Sequence, residues 1–301
     1  MSKAAIGIIA VVAMLGTPAF AADMALKAPP PPAVFSWTGF YVGANVGYSW
    51  GNSSNTWNMF AANFGGSAIC PPAGGALCVS GVDSNHLNGV LGGLQAGYNW
   101  QTANYLFGLE ADIDATGQRR SQIFNGANPP FPLDGVGAAP MSAPYAEKLP
   151  WLGTFRGRVG IVSDHSLFYA TGGLAVGKVQ NSGSAIISGA STFTPGAPLC
   201  TSGNVPVTGT CPLANWSSSS VKGGWALGVG AEHVFAGNWS VKVEYLHVDL
   251  GRVSTSFATA PNCYGGAGGP CLVTNPGSGT ISSRITDDIV RVGLNYRLNR
   301  P

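Results

Sequence analysis

Residues Phe40, Val42, Ala44, Val46, Tyr48 and Trp50 alternate with Tyr41, Gly43, Asn45, Gly47 and Ser49. A period of two is the signature of a β-strand, here with one oily face and one small or polar face. The segment covers about 11 residues, the length with which a tilted strand crosses a bilayer. The same alternation returns at residues 90–100, 105–114, 151–162, 167–177, 222–234, 240–249 and 286–298. In residues 167–177 the glycines leave the inward and outward assignment open.

The connections between these segments alternate in length. Short turns occur at Gln101-Thr102-Ala103-Asn104, Ser163-Asp164-His165-Ser166 and Ala236-Gly237-Asn238. Long segments follow the first strand and cover residues 116–150, 178–221 and 250–284. Loops of that length are unusual in a compact soluble domain. Tight turns on one rim and long loops on the other are the pattern of a membrane β-barrel, with the long loops outside.

Composition supports lipid as the solvent. Charged residues make up 9% of the chain, against about 25% in ordinary soluble domains. After residue 20 no stretch offers the roughly 18 consecutive apolar residues of a spanning helix. With 44 glycines, the sequence predicts an all-β fold: an eight-stranded antiparallel transmembrane barrel over residues 37–298. If the oily faces meet lipid, the ionic faces must line the lumen. Glu110, Asp112, Arg156, Arg158, Glu232, Lys242, Glu244 and Arg291 all share the face opposite the oily one, so an ion network filling the lumen is expected. Aromatic residues near strand ends (Trp37, Trp50, Trp100, Tyr105, Trp151, Trp225, Trp239 and Tyr245) are expected to form girdles at the lipid–water boundary. In a soluble sandwich the oily faces would need a second sheet and the charged faces would meet water.

Residues 1–21 combine Lys3, an apolar stretch and Ala19-Phe20-Ala21. This is the pattern of a signal peptide, with cleavage expected before Ala22. Residues 22–36 contain the run APPPPA and are expected to form a semi-rigid periplasmic lead-in outside the barrel. The net charge is +2 and no basic run occurs, which argues against a nucleic-acid partner.

The six cysteines fall in three close pairs: Cys70 with Cys78, Cys200 with Cys211, and Cys263 with Cys271. Each pair lies within one long segment, and an exported chain meets an oxidising compartment, so local disulfides are expected. Six cysteines allow fifteen pairings, and the local one is favoured because it alone avoids linking separate loops, although sequence does not prove it. His86, His165, His233 and His247 are scattered without metal-ligand spacing. No Gly-x-Ser-x-Gly elbow and no phosphate-binding loop is present. No enzyme, metal or cofactor is therefore expected.

Four segments resemble the porin-like outer-membrane surface antigens of alphaproteobacteria. They are Trp37-Thr38-Gly39-Phe40-Tyr41-Val42-Gly43 after the proline run, Leu167-Phe168-Tyr169-Ala170-Thr171-Gly172-Gly173-Leu174-Ala175, Val241-Lys242-Val243-Glu244-Tyr245-Leu246, and Val290-Arg291-Val292-Gly293-Leu294-Asn295-Tyr296-Arg297. The resemblance implies an eight-stranded barrel exposed at the cell surface and recognised by host immunity in pathogens. Some relatives are described as haem-binding, and no motif here carries a haem ligand over. Strands of this kind usually finish on an aromatic residue read by the barrel-assembly machinery, whereas this chain ends Leu298-Asn299-Arg300-Pro301. The expected partners are outer-membrane lipids and that machinery. The expected function is a structural barrel supporting envelope integrity and surface contacts. The alternatives are a narrow channel for small solutes, and capture of haem or a host molecule by the long loops.

Overall fold

The structure, a computed structural model, describes residues 35–60, 78–126, 141–188, 201–202, 205–206, 210–258 and 278–298. Eight strands form the wall: β1 Gly39–Phe60, β2 Cys78–Thr102, β3 Tyr105–Gly126, β4 Met141–Ser163, β5 Ser166–Ser188, β6 Thr210–Ala236, β7 Trp239–Ala258 and β8 Ser278–Arg297. Each pairs antiparallel with its chain neighbour, and β1 pairs with β8 to close the ring. A two-residue ladder joins Thr201–Ser202 to Val205–Pro206. No helix occurs among the described residues.

The alternation read from sequence sets which way each side chain points. Phe40, Val42, Val46, Tyr48 and Trp50 face outward, while Tyr41, Asn45 and Ser49 are buried in the lumen. In β5, Phe168 and Leu174 point out and Leu167, Tyr169, Thr171 and Ala175 point in, which fixes the assignment that glycines had left open. No second layer covers the outward apolar band among the described residues, as a wall that faces acyl chains requires.

The strands are longer than the alternation predicts. The segments at 116–150 and 178–221 were expected to be loops, yet β3 and β4 pair from Gln118 with Leu149 out to Gly126 with Met141. β5 and β6 pair out to Ser188 with Thr210. Beyond the band, outward positions become Asn52, Ser54 and Thr56 on β1 and Ser84 and His86 on β2. The wall therefore continues into water as a polar-coated barrel. Bulges at Ala115/Gln118, Lys148/Leu152 and Arg284/Thr286 mark this passage. Such irregularities bend a strand and raise its local twist.

The three short connections are two-residue hairpins. Ala103, Asp164 and Gly237 each take a positive φ, of 53°, 51° and 51°, as the tight hairpin turns with matching twist require.

The lead-in does not stay wholly outside. Phe35 and Trp37 dock at the turn end of the barrel, with Trp37 buried against Leu106, Val162, Leu167, Tyr169 and Val234. Arg297 stacks 4.1 Å from the Phe35 ring centroid and donates to the Ser36 carbonyl at 2.7 Å. The compact unit accordingly starts at Phe35, two residues before the expected boundary. Trp37 is thus a plug residue and not part of a girdle. Trp50, Trp100, Tyr105, Trp225, Trp239 and Tyr245 do lie on the exposed face near the two edges of the band. The signal peptide and residues 22–34 lie outside the described residues.

Candidate functional site: the lumen ion cluster

The polar faces of β1 to β8 converge on a narrow interior. Alternation brings Glu110, Asp112 and Asp114 from β3, Arg156 and Arg158 from β4, Glu232 from β6, Lys242 and Glu244 from β7, and Arg291 from β8 into one connected cluster. All eight charged residues singled out by sequence meet there, and all are buried.

Arg156 is the hub. Its Nη2 lies 2.7 Å from Glu110 Oε1 and 2.8 Å from Asp112 Oδ2, its Nη1 lies 3.1 Å from Glu244 Oε1, and its Nε donates to Thr154 at 2.7 Å. Arg291 approaches from the opposite wall. It reaches Glu244 at 2.7 Å, Asp112 at 3.1 Å and Asp114 at 3.0 Å. Lys242 donates to both Glu110 oxygens, at 2.8 and 2.9 Å. Arg158 sits toward the turn end. It contacts Glu232 at 3.2 Å, donates twice to Asn99 and covers the Tyr41 ring at 4.6 Å. Forked guanidinium geometry suits this, since each arginine can answer several carboxylates at once.

Neutral groups complete the set. Tyr41 donates to Glu110 at 2.7 Å and Tyr169 to Glu244 at 3.0 Å. Ser240 and Asn295 donate to Glu232 at 2.6 and 2.8 Å. A buried charge is tolerated only when its lone pairs and protons find such partners. Asp114, Tyr41 and Tyr169 were not among the expected site residues, although their position on the polar face was the available signal.

The lumen is layered. Below the ions lies the Trp37 plug. Above them an apolar layer includes Leu87, Leu149, Leu152, Leu250, Ile285 and Ile289, where an ionic interior had been expected throughout. Buried polar groups sit within and above it: Ser49 and Gln118 bond to Asp287, and Arg120 Nε lies 3.5 Å from Glu147. At the loop end Trp57, Tyr145, Trp216 and Phe257 form an aromatic layer, with Trp216 and Phe257 stacked at 4.6 Å.

The histidines stay apart: His165 is in a turn, His233 bonds Ser166, and His247 bonds Asp288 on the outer face. No group of metal-ligating side chains occurs among the described residues. Cys70, Cys200, Cys263 and Cys271 lie outside the described residues, so the expected disulfides do too.

A family model described as "Outer membrane protein beta-barrel domain" matches residues 8–297. The 31 kDa outer-membrane immunogenic protein of Brucella melitensis is 31% identical over 294 residues, covering 95% of this chain and 96% of that protein. The 22 kDa outer membrane protein of Rhizobium leguminosarum bv. viciae is 30% identical over 156 residues, covering 52% of this chain and 51% of that protein. Among solved structures, OprG of Pseudomonas aeruginosa aligns with a TM-score of 0.40 at 11% identity, covering 87% of this chain and 97% of that one. With a closed eight-stranded wall, an acyl-facing band and a family match across nearly its whole length, the chain belongs to the outer membrane protein β-barrel family and resides in the outer membrane.

Proposed function

We propose that this protein is a structural outer-membrane barrel, closed to diffusing solutes, that anchors surface segments and has no catalytic role. The observation that carries this is the ion cluster. Glu110, Arg156, Arg291, Lys242 and Glu244 come from four strands and bond one another across the full width of the lumen. An eight-stranded interior is just wide enough for side chains to fill. Here the Trp37 plug and the apolar layer back the ions on both sides. A permeating ion would have to separate buried charge pairs, which leaves uncompensated charges at a cost of about 3–5 kcal/mol per broken pair.

Its working partners on this reading are outer-membrane lipids around the band and the assembly machinery that inserts it. Planar-bilayer recording tests the reading. The purified protein, checked as folded by its heat-shifted electrophoretic mobility, is expected to give no stable conductance steps. Reproducible steps from the folded protein would establish a narrow solute path instead.

A further inference from the structure

Just beyond the acyl-facing band, the outer wall carries a concentrated set of unanswered cations. Arg119 on β3 stands directly opposite Lys148 on β4, both exposed on the outer face. Lys148 in turn faces Gln180 on β5, and Lys178 lies two residues along the same outer face. Like charges placed opposite each other across a ladder repel. None of the three makes an ion pair or hydrogen bond among the described residues, and the adjacent acid Glu147 points into the lumen, where it meets Arg120. The contrast with β7 and β8 is informative. There Arg252 and Arg284 also stand opposite each other, but Arg284 is held by Asp249 at 2.7 Å.

The level of these cations says what answers them. Lys178 follows Val176 at the edge of the outward band, and Lys148 lies three residues before Trp151. Long basic side chains at such an edge reach to the headgroup level while their stems stay against apolar surface. Below them the outer wall is apolar. Gly157 opposes Gly172, and a Cβ built at Gly157 would meet nothing closer than 3.9 Å, so no protein packing requires a glycine there. Phe155 and Leu174, which oppose each other and are both exposed, lie between the cations and this glycine pair and offer acyl chains an apolar wall.

We propose that Arg119, Lys148 and Lys178 form a docking site for the phosphorylated headgroup of an outer-leaflet lipid, whose acyl chains lie along the β4–β5 wall below. Charge complementarity selects phosphate, since Arg and Lys gathered on neighbouring strands of one face can neutralise multiple anionic oxygens. The apolar wall below selects a lipid over a free anion.

Native mass spectrometry of the detergent-solubilised full-length protein tests this. The probe is lipid A carrying both phosphates, compared with the same lipid after phosphatase treatment. The intact protein is expected to retain the phosphorylated form at least about tenfold more strongly, the scale expected for several basic residues near a lipid surface. The Arg119→Ser/Lys148→Ser/Lys178→Ser variant should lose that preference, whereas Lys148→Arg should keep it. Millimolar inorganic phosphate should not displace the lipid. Equal retention of both lipids, an unchanged preference in the triple variant, or displacement by inorganic phosphate would each overturn the proposal. Folding of every variant is read from its heat-shifted mobility. If the triple variant does not assemble, Lys148→Ser alone serves, with a reduced preference expected and an unchanged one decisive against the site.

Discussion

Lys242 and Glu110 meet across the lumen, with the ammonium 2.8 Å from Oε1 and 2.9 Å from Oε2, although 132 residues separate them in the chain. The contact ties β7 to β3, two strands that are not neighbours in the wall. Removing the lysine leaves Glu110 buried with one cation fewer. Lys242→Ala is therefore expected to lower unfolding free energy by about 3 kcal/mol. Urea unfolding in lipid vesicles, followed by tryptophan fluorescence, measures it, and a loss below about 1 kcal/mol would contradict the role assigned to the pair.

Outward positions in the middle of the band should reject charge. Val46 lies on the outer face midway between Phe40 and Trp50 and is 69% exposed. Val46→Arg is expected to cost about 2–4 kcal/mol in a bilayer. Ser54→Arg, on the same face of the same strand but past the band, should cost almost nothing. Equal effects at both positions would mean that Val46 does not face lipid.

The hairpin at Ala103 holds an L-residue at a φ of 53°. Such a conformation costs an alanine roughly 1–2 kcal/mol, and glycine escapes most of that penalty. Ala103→Gly should accordingly raise stability by about 0.5–1 kcal/mol. Gly237→Ala in the third hairpin, at a φ of 51°, should lower it by a similar amount. The same vesicle assay reads both changes, and opposite signs are the expected result.

Trp37 tests the plug at the turn end. It is buried among five apolar residues from the wall, and its backbone amide donates to Gln101 Oε1 at 2.7 Å. Trp37→Ala should cost about 3–5 kcal/mol. Trp100→Ala removes a ring of the same size from the exposed edge of the band and should cost clearly less.

Much of the wall was readable because alternation survives wherever one face meets lipid and the other meets charge. Val290, Val292, Leu294 and Tyr296 against Arg291 and Asn295 left no ambiguity. The contrast fades past the band. On β1, Asn52, Ser54 and Thr56 point out while Ser53 and Asn55 point in, so polarity no longer separates the faces and the segment reads as a loop. On β8 the pattern reverses phase: Val290 faces lipid, but Ile289, Ile285 and Ile281 face the lumen. A reader expecting oily residues outside misses the apolar interior layer for that reason. Trp37 misled differently, since a ring that caps a lumen and a ring that floats at a lipid boundary look alike in a string of letters. The ion cluster was legible as a set, but its wiring was not, because which arginine takes which carboxylate depends on strand stagger.

The extra strand length has a mechanical consequence. From Trp50 to Phe60 the first strand climbs roughly 25 Å beyond the membrane edge at ordinary rise and tilt. The outer ends of the strands thereby form a stiff pedestal that stands clear of the bilayer. Changes on the pedestal's outward positions, such as Asn52, Ser54 and Thr56, therefore leave every acyl-contacting position untouched, so the upper wall can vary independently of how the protein is seated.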